Sequence, residues 1–180
     1  MAEKQPNILV CGTPGVGKTQ LCRMLAESEP QLEHIDLSRM VVNDPKLREE
    51  FDEATQAWIL NDDAIVDHLE ERMSRGGVIL DTHSLISYFP ERWFDLVLVL
   101  EADNTVLFDR LTKRGYSPAK VQENVECEIM KVVRDEAQES YAEEIVQILP
   151  SNTVEDLEQN LERVQQWLRL REQGDADEEM

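Results

Sequence analysis

The chain has 180 residues, with 38 acidic and 18 basic side chains and a formal net charge of −20. That length suits one α/β domain whose core needs no disulfide or structural metal, and the acidity excludes sequence-independent binding to bare nucleic acid and gives no support to direct sequence-specific DNA binding. No apolar run approaches the roughly 20 residues of a membrane span, so no membrane partner is expected.

Cys11, Cys22 and Cys127 are odd in number and lack CxxC spacing, which reads as buried or incidental thiols in a reducing compartment. The N-terminal "MAEKQPNILVCG" has too short an apolar stretch for a secretory signal. A soluble intracellular protein is expected. The negative charge serves solubility and a basic protein partner equally well.

In chain order, "NILVC" (7–11) is a short β-forming run. Gly17 to Ser28 follows with Leu21, Leu25 and Ala26 at helical spacing. "LEHIDL" (32–37) suits a second strand, and 38–60 has no clear period, with Pro45 interrupting any helix. Asn61 or Asp62 caps a helix whose face is Ile65, Val66, Leu69 and Met73, ended by Gly76-Gly77. "GVILD" (77–81) and "FDLVLVLEA" (94–102) are continuous apolar strands, as parallel strands covered on both faces should be. Asp103 caps a helix through Arg114, and Ser117-Pro118 opens one long helix to about Ala142. "EIVQIL" (144–149) is the last strand. Asn152 or Thr153 then caps a helix carrying Leu157, Leu161, Val164 and Leu168, with Asn152 and Glu155 at capping-box spacing. Residues 174–180, "GDADEEM", read as a disordered acidic tail after a single domain over 1–173. Strands alternating with helices predict a mostly parallel sheet covered on both faces, with ligands beyond the carboxyl ends of its strands. Trp58, Trp93 and Trp167 read as packing rather than as base-stacking platforms.

The densest chemistry lies at Gly12-Thr13-Pro14-Gly15-Val16-Gly17-Lys18-Thr19, which fits the Walker A pattern G-x-x-x-x-G-K-[ST]. The glycines allow successive N–H groups to point inward, and the following helix N-terminus adds partial positive charge. Lys18 reaches the β- and γ-phosphates of ATP, and Thr19 offers a hydroxyl to Mg²⁺. Asp81, ending an apolar strand, is the second candidate acid near that ion. His83, two residues on, has the position to orient or deprotonate a water, although spacing alone suits a surface histidine equally. A guanine-reading N/T-K-x-D motif is missing: the nearest stretch is Thr112-Lys113-Arg114-Gly115. Arg110 and Arg114, at i,i+4 spacing, can share one face over the phosphates, and Arg39 can grip an acceptor phosphate.

"GTPGVGKT", "GGVILDTHSLISYFPERWFD", "RLTKRGYSPAKVQENVECEI" and "ESYAEEIVQILPSN", in this order, resemble the adenylate kinase isoenzyme 6 (coilin-interacting nuclear ATPase) family over nearly the whole chain. The resemblance implies a P-loop NTPase fold, α/β, with a five-stranded parallel sheet of order 2-3-1-4-5 flanked by helices. It implies a monophosphate-binding region over 38–76 and a short lid over 114–125. Gly12 to Thr19, with Arg110 and Arg114, would bind ATP; Arg39 would bind AMP; Thr19 and Asp81 would hold Mg²⁺; Lys18, Asp81, His83 and Arg114 would be catalytic. The implied activity is ATP + AMP to 2 ADP, with ATP hydrolysis tied to His83. The implied setting is small ribosomal subunit maturation in nucleus and cytoplasm, with a basic small-subunit ribosomal protein and the pre-ribosomal particle as partners. A nucleotide-gated assembly factor with residual kinase activity is the alternative. The chain departs from the family pattern at Thr82, where an aromatic is expected, at Ser84-Leu85, and most of all over 38–60.

Overall fold

The computed structural model describes residues 4–178, and side chains through Gly174. Seven strands and seven α-helices alternate: β1 Ile8–Cys11, α1 Lys18–Ser28, β2 Glu33–Asp36, α2 Leu37–Asn43, β3 Arg48–Asp52, β4 Ala57–Leu60, α3 Asp62–Arg75, β5 Val78–Thr82, β6 Leu96–Glu101, α4 Asn104–Lys113, α5 Pro118–Ile129, α6 Val132–Ser140, β7 Val146–Pro150 and α7 Val154–Glu178. Five strands make an all-parallel sheet in the order β2-β5-β1-β6-β7, the expected 2-3-1-4-5 pattern. No helix among the described residues is long and apolar enough to cross a membrane.

Strand alternation divides the core. On β1, Ile8 and Val10 join Leu21, Leu25, Leu107, Val121 and Val164 on one face, which α1, α4, α5 and α7 cover. Leu9 and Cys11 join Leu37, Ile65, Leu69, Trp93 and Ala137 on the other, under α2, α3 and α6. Both faces of β1, β5 and β6 are therefore dry, which is why those strands are continuous apolar runs. Burial pushes the Cys11 thiol up to about 12 and the Cys22 thiol upward as well, and all three cysteines are free. Asn7 is fully buried and ties the start of β1 in place: its amide donates to the carbonyls of Met73 and Trp93, both at 2.8 Å, and accepts from the Val78 amide at 3.1 Å.

Four local expectations change. The long helix from Ser117 is two helices, α5 and α6, because the chain crosses from one sheet face to the other at Met130-Lys131. Lys131 takes a left-handed φ of 57° there, with no glycine or proline to announce it. The capping box of α7 is Thr153 and Asp156: Thr153 Oγ1 accepts from the Asp156 amide at 3.1 Å, and Asp156 Oδ2 accepts from the Thr153 amide at 3.2 Å. Asn152 instead accepts from the Asp103 amide at 2.7 Å, so it holds the entry to α4. Residues 174–178, expected in a disordered tail, continue α7, since each residue added to a formed helix contributes a further hydrogen bond; residues 179–180 lie outside those described.

The aperiodic stretch 38–60 becomes most of α2, a 3₁₀ turn over Pro45–Leu47 and the antiparallel hairpin β3–β4. Asp36 caps α2 by accepting from the Arg39 amide, and Pro45 ends any helical continuation. Phe51 and Trp58 pair edge-to-face at 5.2 Å across the hairpin, and the Arg48 guanidinium lies 3.9 Å over the Trp58 ring.

Candidate active site

The loop between β1 and α1 stands at the carboxyl edge of the central strand, with β5 beside it. Gly12 permits close passage there: a Cβ would meet the Leu100 carbonyl oxygen at 2.7 Å. Gly17 has φ of 101°, a left-handed angle that sets the N-terminus of α1 pointing into the loop. Lys18 follows as the first helical residue, 7% exposed, and donates to the Thr13 carbonyl at 3.2 Å. Burial lowers its pKa against the opposing pull of Asp81.

Register brings the acid to the loop. Val10 pairs with Asp81, and Thr19 Oγ1 donates to Asp81 Oδ2 at 2.7 Å. A hydroxyl and a carboxylate oxygen side by side are hard ligands that fit Mg²⁺ bound mainly by water and substrate phosphate. His83 lies just past β5. Its ring is open to the cleft on one side; the protein around its other sides and the charge of Lys18 push its pKa down to about 4. The shift favours the neutral imidazole and weakens it as a base, so the ring is better suited to orienting a water through a hydrogen bond than to taking its proton.

Clefts open around the loop. One of about 410 Å³ is bordered by Gly15, Gly17, Arg110, Arg114, Ser151 and Asn152. Arg110 holds this wall together, donating to the carbonyls of Ser151 at 2.8 Å, Asn152 at 3.0 Å and Gly15 at 3.4 Å. Its side chain supports the loops of this wall, whereas exposed Arg114, at the C-cap of α4, faces the same cleft with no carboxylate partner among the described residues. On the other side, Leu37, Ser38, Val41, Trp58, Leu60 and His83 line an apolar cleft of about 400 Å³. Thr19, Arg23, His34, Asp36 and Arg39 border a third, polar cleft of about 340 Å³.

Several residues escaped the sequence reading. Arg23, one helical turn past Thr19, shares the polar cleft with Arg39; its signal was the i,i+4 spacing from Thr19. Trp58, read as packing, borders the apolar cleft, while Trp93 is buried in the core and Trp167 packs half-buried against it. Glu128 of α5 is 5% exposed, accepting from Thr13 Oγ1 at 2.6 Å and from the Ala102 amide at 2.8 Å. It fastens the phosphate loop to the helix behind it, a contact no spacing announces. At the mouth, Lys120 of the expected lid donates to the Thr55 carbonyl at 3.0 Å and the Gln56 carbonyl at 3.4 Å, bridging the lid to the hairpin tip.

Residues 8–131 match a family described as an AAA domain. The chain is 46% identical over 165 residues to an adenylate kinase isoenzyme 6 homolog of Dictyostelium discoideum, covering 92% of this chain and 93% of the relative. It is 44% identical over 163 residues to the Caenorhabditis elegans homolog of the same description, covering 89% and 88%. Shikimate kinase from Acinetobacter baumannii superposes with a TM-score of 0.65 at 18% identity, over 93% of this chain and 95% of that one, a likeness of fold.

Proposed function

The chain belongs to the adenylate kinase isoenzyme 6 family, and from that membership we propose that it is a Mg²⁺-dependent nucleoside monophosphate kinase, transferring the γ-phosphoryl of ATP to AMP to give two ADP, with a slower ATP hydrolysis. The observation that carries the proposal is a second cleft, apolar and of about 400 Å³, across the phosphate loop from the cleft at Arg110 and Arg114. A simple hydrolase needs one nucleotide cleft; a second cleft of similar volume supports a reaction between two nucleotides.

In-line transfer asks the protein for position and charge neutralisation. Lys18 and Arg114 supply positive charge to the donor phosphates, and Arg39 with Arg23 supplies it on the acceptor side. Mg²⁺, when bound, offsets charge on the β- and γ-oxygens; Thr19 and Asp81 would hold it. Trp58 and Leu37 offer an apolar wall to a base. Trp58→Ala should therefore raise the KM for AMP about tenfold, the loss of about 1.4 kcal/mol of base–aromatic contact, and leave the KM for ATP unchanged. Steady-state kinetics with each substrate varied in turn checks this.

The direct test incubates protein and Mg·ATP with and without AMP and measures ADP and free phosphate separately, with Lys18→Ala as control. Two ADP per AMP consumed, with little phosphate, supports the kinase. Phosphate equal to ADP, indifferent to AMP, sinks it.

The position of His83, two residues past Asp81 at the cleft, favours a nucleotide-gated assembly factor as the second reading, since the ring can orient a water there. The net charge of −20 would then suit a basic small-subunit ribosomal protein, released on hydrolysis during pre-ribosomal particle maturation in nucleus and cytoplasm. His83→Ala should lower phosphate release about a hundredfold, the scale of losing a group that positions a reactant, and transfer to AMP far less. Equal losses in the two assays would remove the separate hydrolytic role.

A further inference from the structure

Three side chains from three elements meet behind the phosphate site. Asp36 pairs with Asp81 in the β2–β5 register, so His34, two residues earlier, projects from the same face of the sheet. Helix α1 lies over that face, and Cys22 sits three residues past Thr19 on its buried side. The ligand atoms of Cys22, His34 and Asp81 all lie within 4.8 Å of one another, with His34 Nε2 3.2 Å from Asp81 Oδ2. Cys22 is fully buried and Asp81 is 4% exposed, while the His34 side chain, at 18%, keeps an opening to the polar cleft.

A buried cysteine is ordinarily a small core residue. Here its sulfur faces an imidazole nitrogen and a carboxylate oxygen, and sulfur, nitrogen and oxygen from three side chains, with a fourth position toward solvent, form a donor set that zinc accepts. Mg²⁺ prefers an all-oxygen octahedron and has no use for Cys22 or His34. The Thr19–Asp81 pair has the reverse preference. Both arrangements draw on one atom: Asp81 Oδ2 accepts from Thr19 at 2.7 Å and meets His34 at 3.2 Å.

We propose that Cys22, His34 and Asp81 form a site for a zinc-class divalent cation, and that its occupant withdraws Asp81 from the phosphate site and so inhibits Mg²⁺-dependent turnover. Binding displaces the thiol proton to solvent and forms one metal–sulfur bond. The binding claim stands on the three side chains alone; the inhibition claim rests also on the role of Asp81 in the proposed function, and the two are read separately.

Cobalt(II) titrated into the reduced, metal-free full chain should give a thiolate-to-cobalt charge-transfer band that saturates at one equivalent. Zinc should abolish the band by displacement, and a large excess of Mg²⁺ should leave it intact. Cys22→Ala should lose the band and Cys127→Ser should keep it. His34→Asn should weaken cobalt binding at least about tenfold, since even outer-shell partners of a metal contribute that much. In the turnover assay, stoichiometric zinc should inhibit the unmodified protein and spare Cys22→Ala. No band at one equivalent, or a band that persists in Cys22→Ala, overturns the site. If Cys22→Ala does not fold, an unchanged affinity in His34→Asn overturns it. A band without inhibition overturns the inhibitory role alone.

Discussion

Lys18→Met will reduce both phosphoryl transfer and ATP hydrolysis about a thousandfold and will at the same time raise stability near neutral pH. The activity loss follows from removing a preorganised positive charge at the phosphates, on the scale seen for single groups that stabilise developing charge. The stability gain follows from burial: Lys18 is 7% exposed, and desolvation lowers its pKa despite Asp81. The protonated ammonium is thus less favourable in the folded chain than in the unfolded one. In this case the folded value lies below the unfolded value, so the penalty is full below the folded pKa. It is relieved as pH rises from that value toward the ordinary lysine range, where the unfolded chain still carries the proton and the folded chain has lost it. Urea unfolding of both proteins at pH 7 and again at pH 9.5 would test this. The expected result is a higher midpoint for Lys18→Met at the lower pH and a smaller gap at the higher one. A lower midpoint at pH 7 would mean that Lys18 stabilises the fold through its hydrogen bond to Thr13 and the attraction of Asp81.

Glu128→Ala should cost about 3 kcal/mol of stability and about a hundredfold in kcat/KM for ATP. The side chain is buried, and the Thr13 hydroxyl and the Ala102 amide both donate to it. Truncation leaves those two donors without an acceptor in a dry place, each costing about 1–3 kcal/mol. It also frees the second residue of the phosphate loop, and small displacements of positioning groups carry penalties of about 10² in rate. Glu128→Gln retains an acceptor for one donor and should fall between. Denaturant midpoints report the first effect, and initial rates on folded protein at saturating AMP report the second. Stability lost with full activity would show that the loop holds its shape through its glycines and the contact of Ser151 Oγ with the Val16 carbonyl at 2.5 Å.

The two predictions concern different kinds of residue. Lys18 was legible in the sequence because the phosphate loop is a local device: eight consecutive residues carry its glycine angles, its cation and its hydroxyl, and the strand before and helix after follow from short-range patterning. The same holds for the cap at Asn61 or Asp62, which is Asn61, its Oδ1 accepting from the Ala64 amide at 3.1 Å, and for β1, β5 and β6, whose continuous apolar runs demand cover on both faces. Asp81 was readable because strand ends in such a sheet share one edge.

Glu128 was not legible, nor was the meeting of Cys22, His34 and Asp81. Nothing within a few residues of Glu128 distinguishes it from the other acids of α5. Its role exists because the chain crosses the sheet edge at Lys131, whose left-handed turn no glycine or proline marks, and so sets α5 behind Thr13. Arg110 shows the same limit from the other side. Its spacing from Arg114 was right for a shared face, but only the approach of Ser151 and Asn152 turned its guanidinium toward carbonyls. The sequence by itself determined most of the elements and the glycine-lysine-threonine loop, since propensity, periodicity and loop angles act over a few residues. The tertiary structure alone decided which buried groups face one another, because strand order and register bring together residues more than a hundred positions apart, 115 for Thr13 and Glu128 and 135 for Val16 and Ser151.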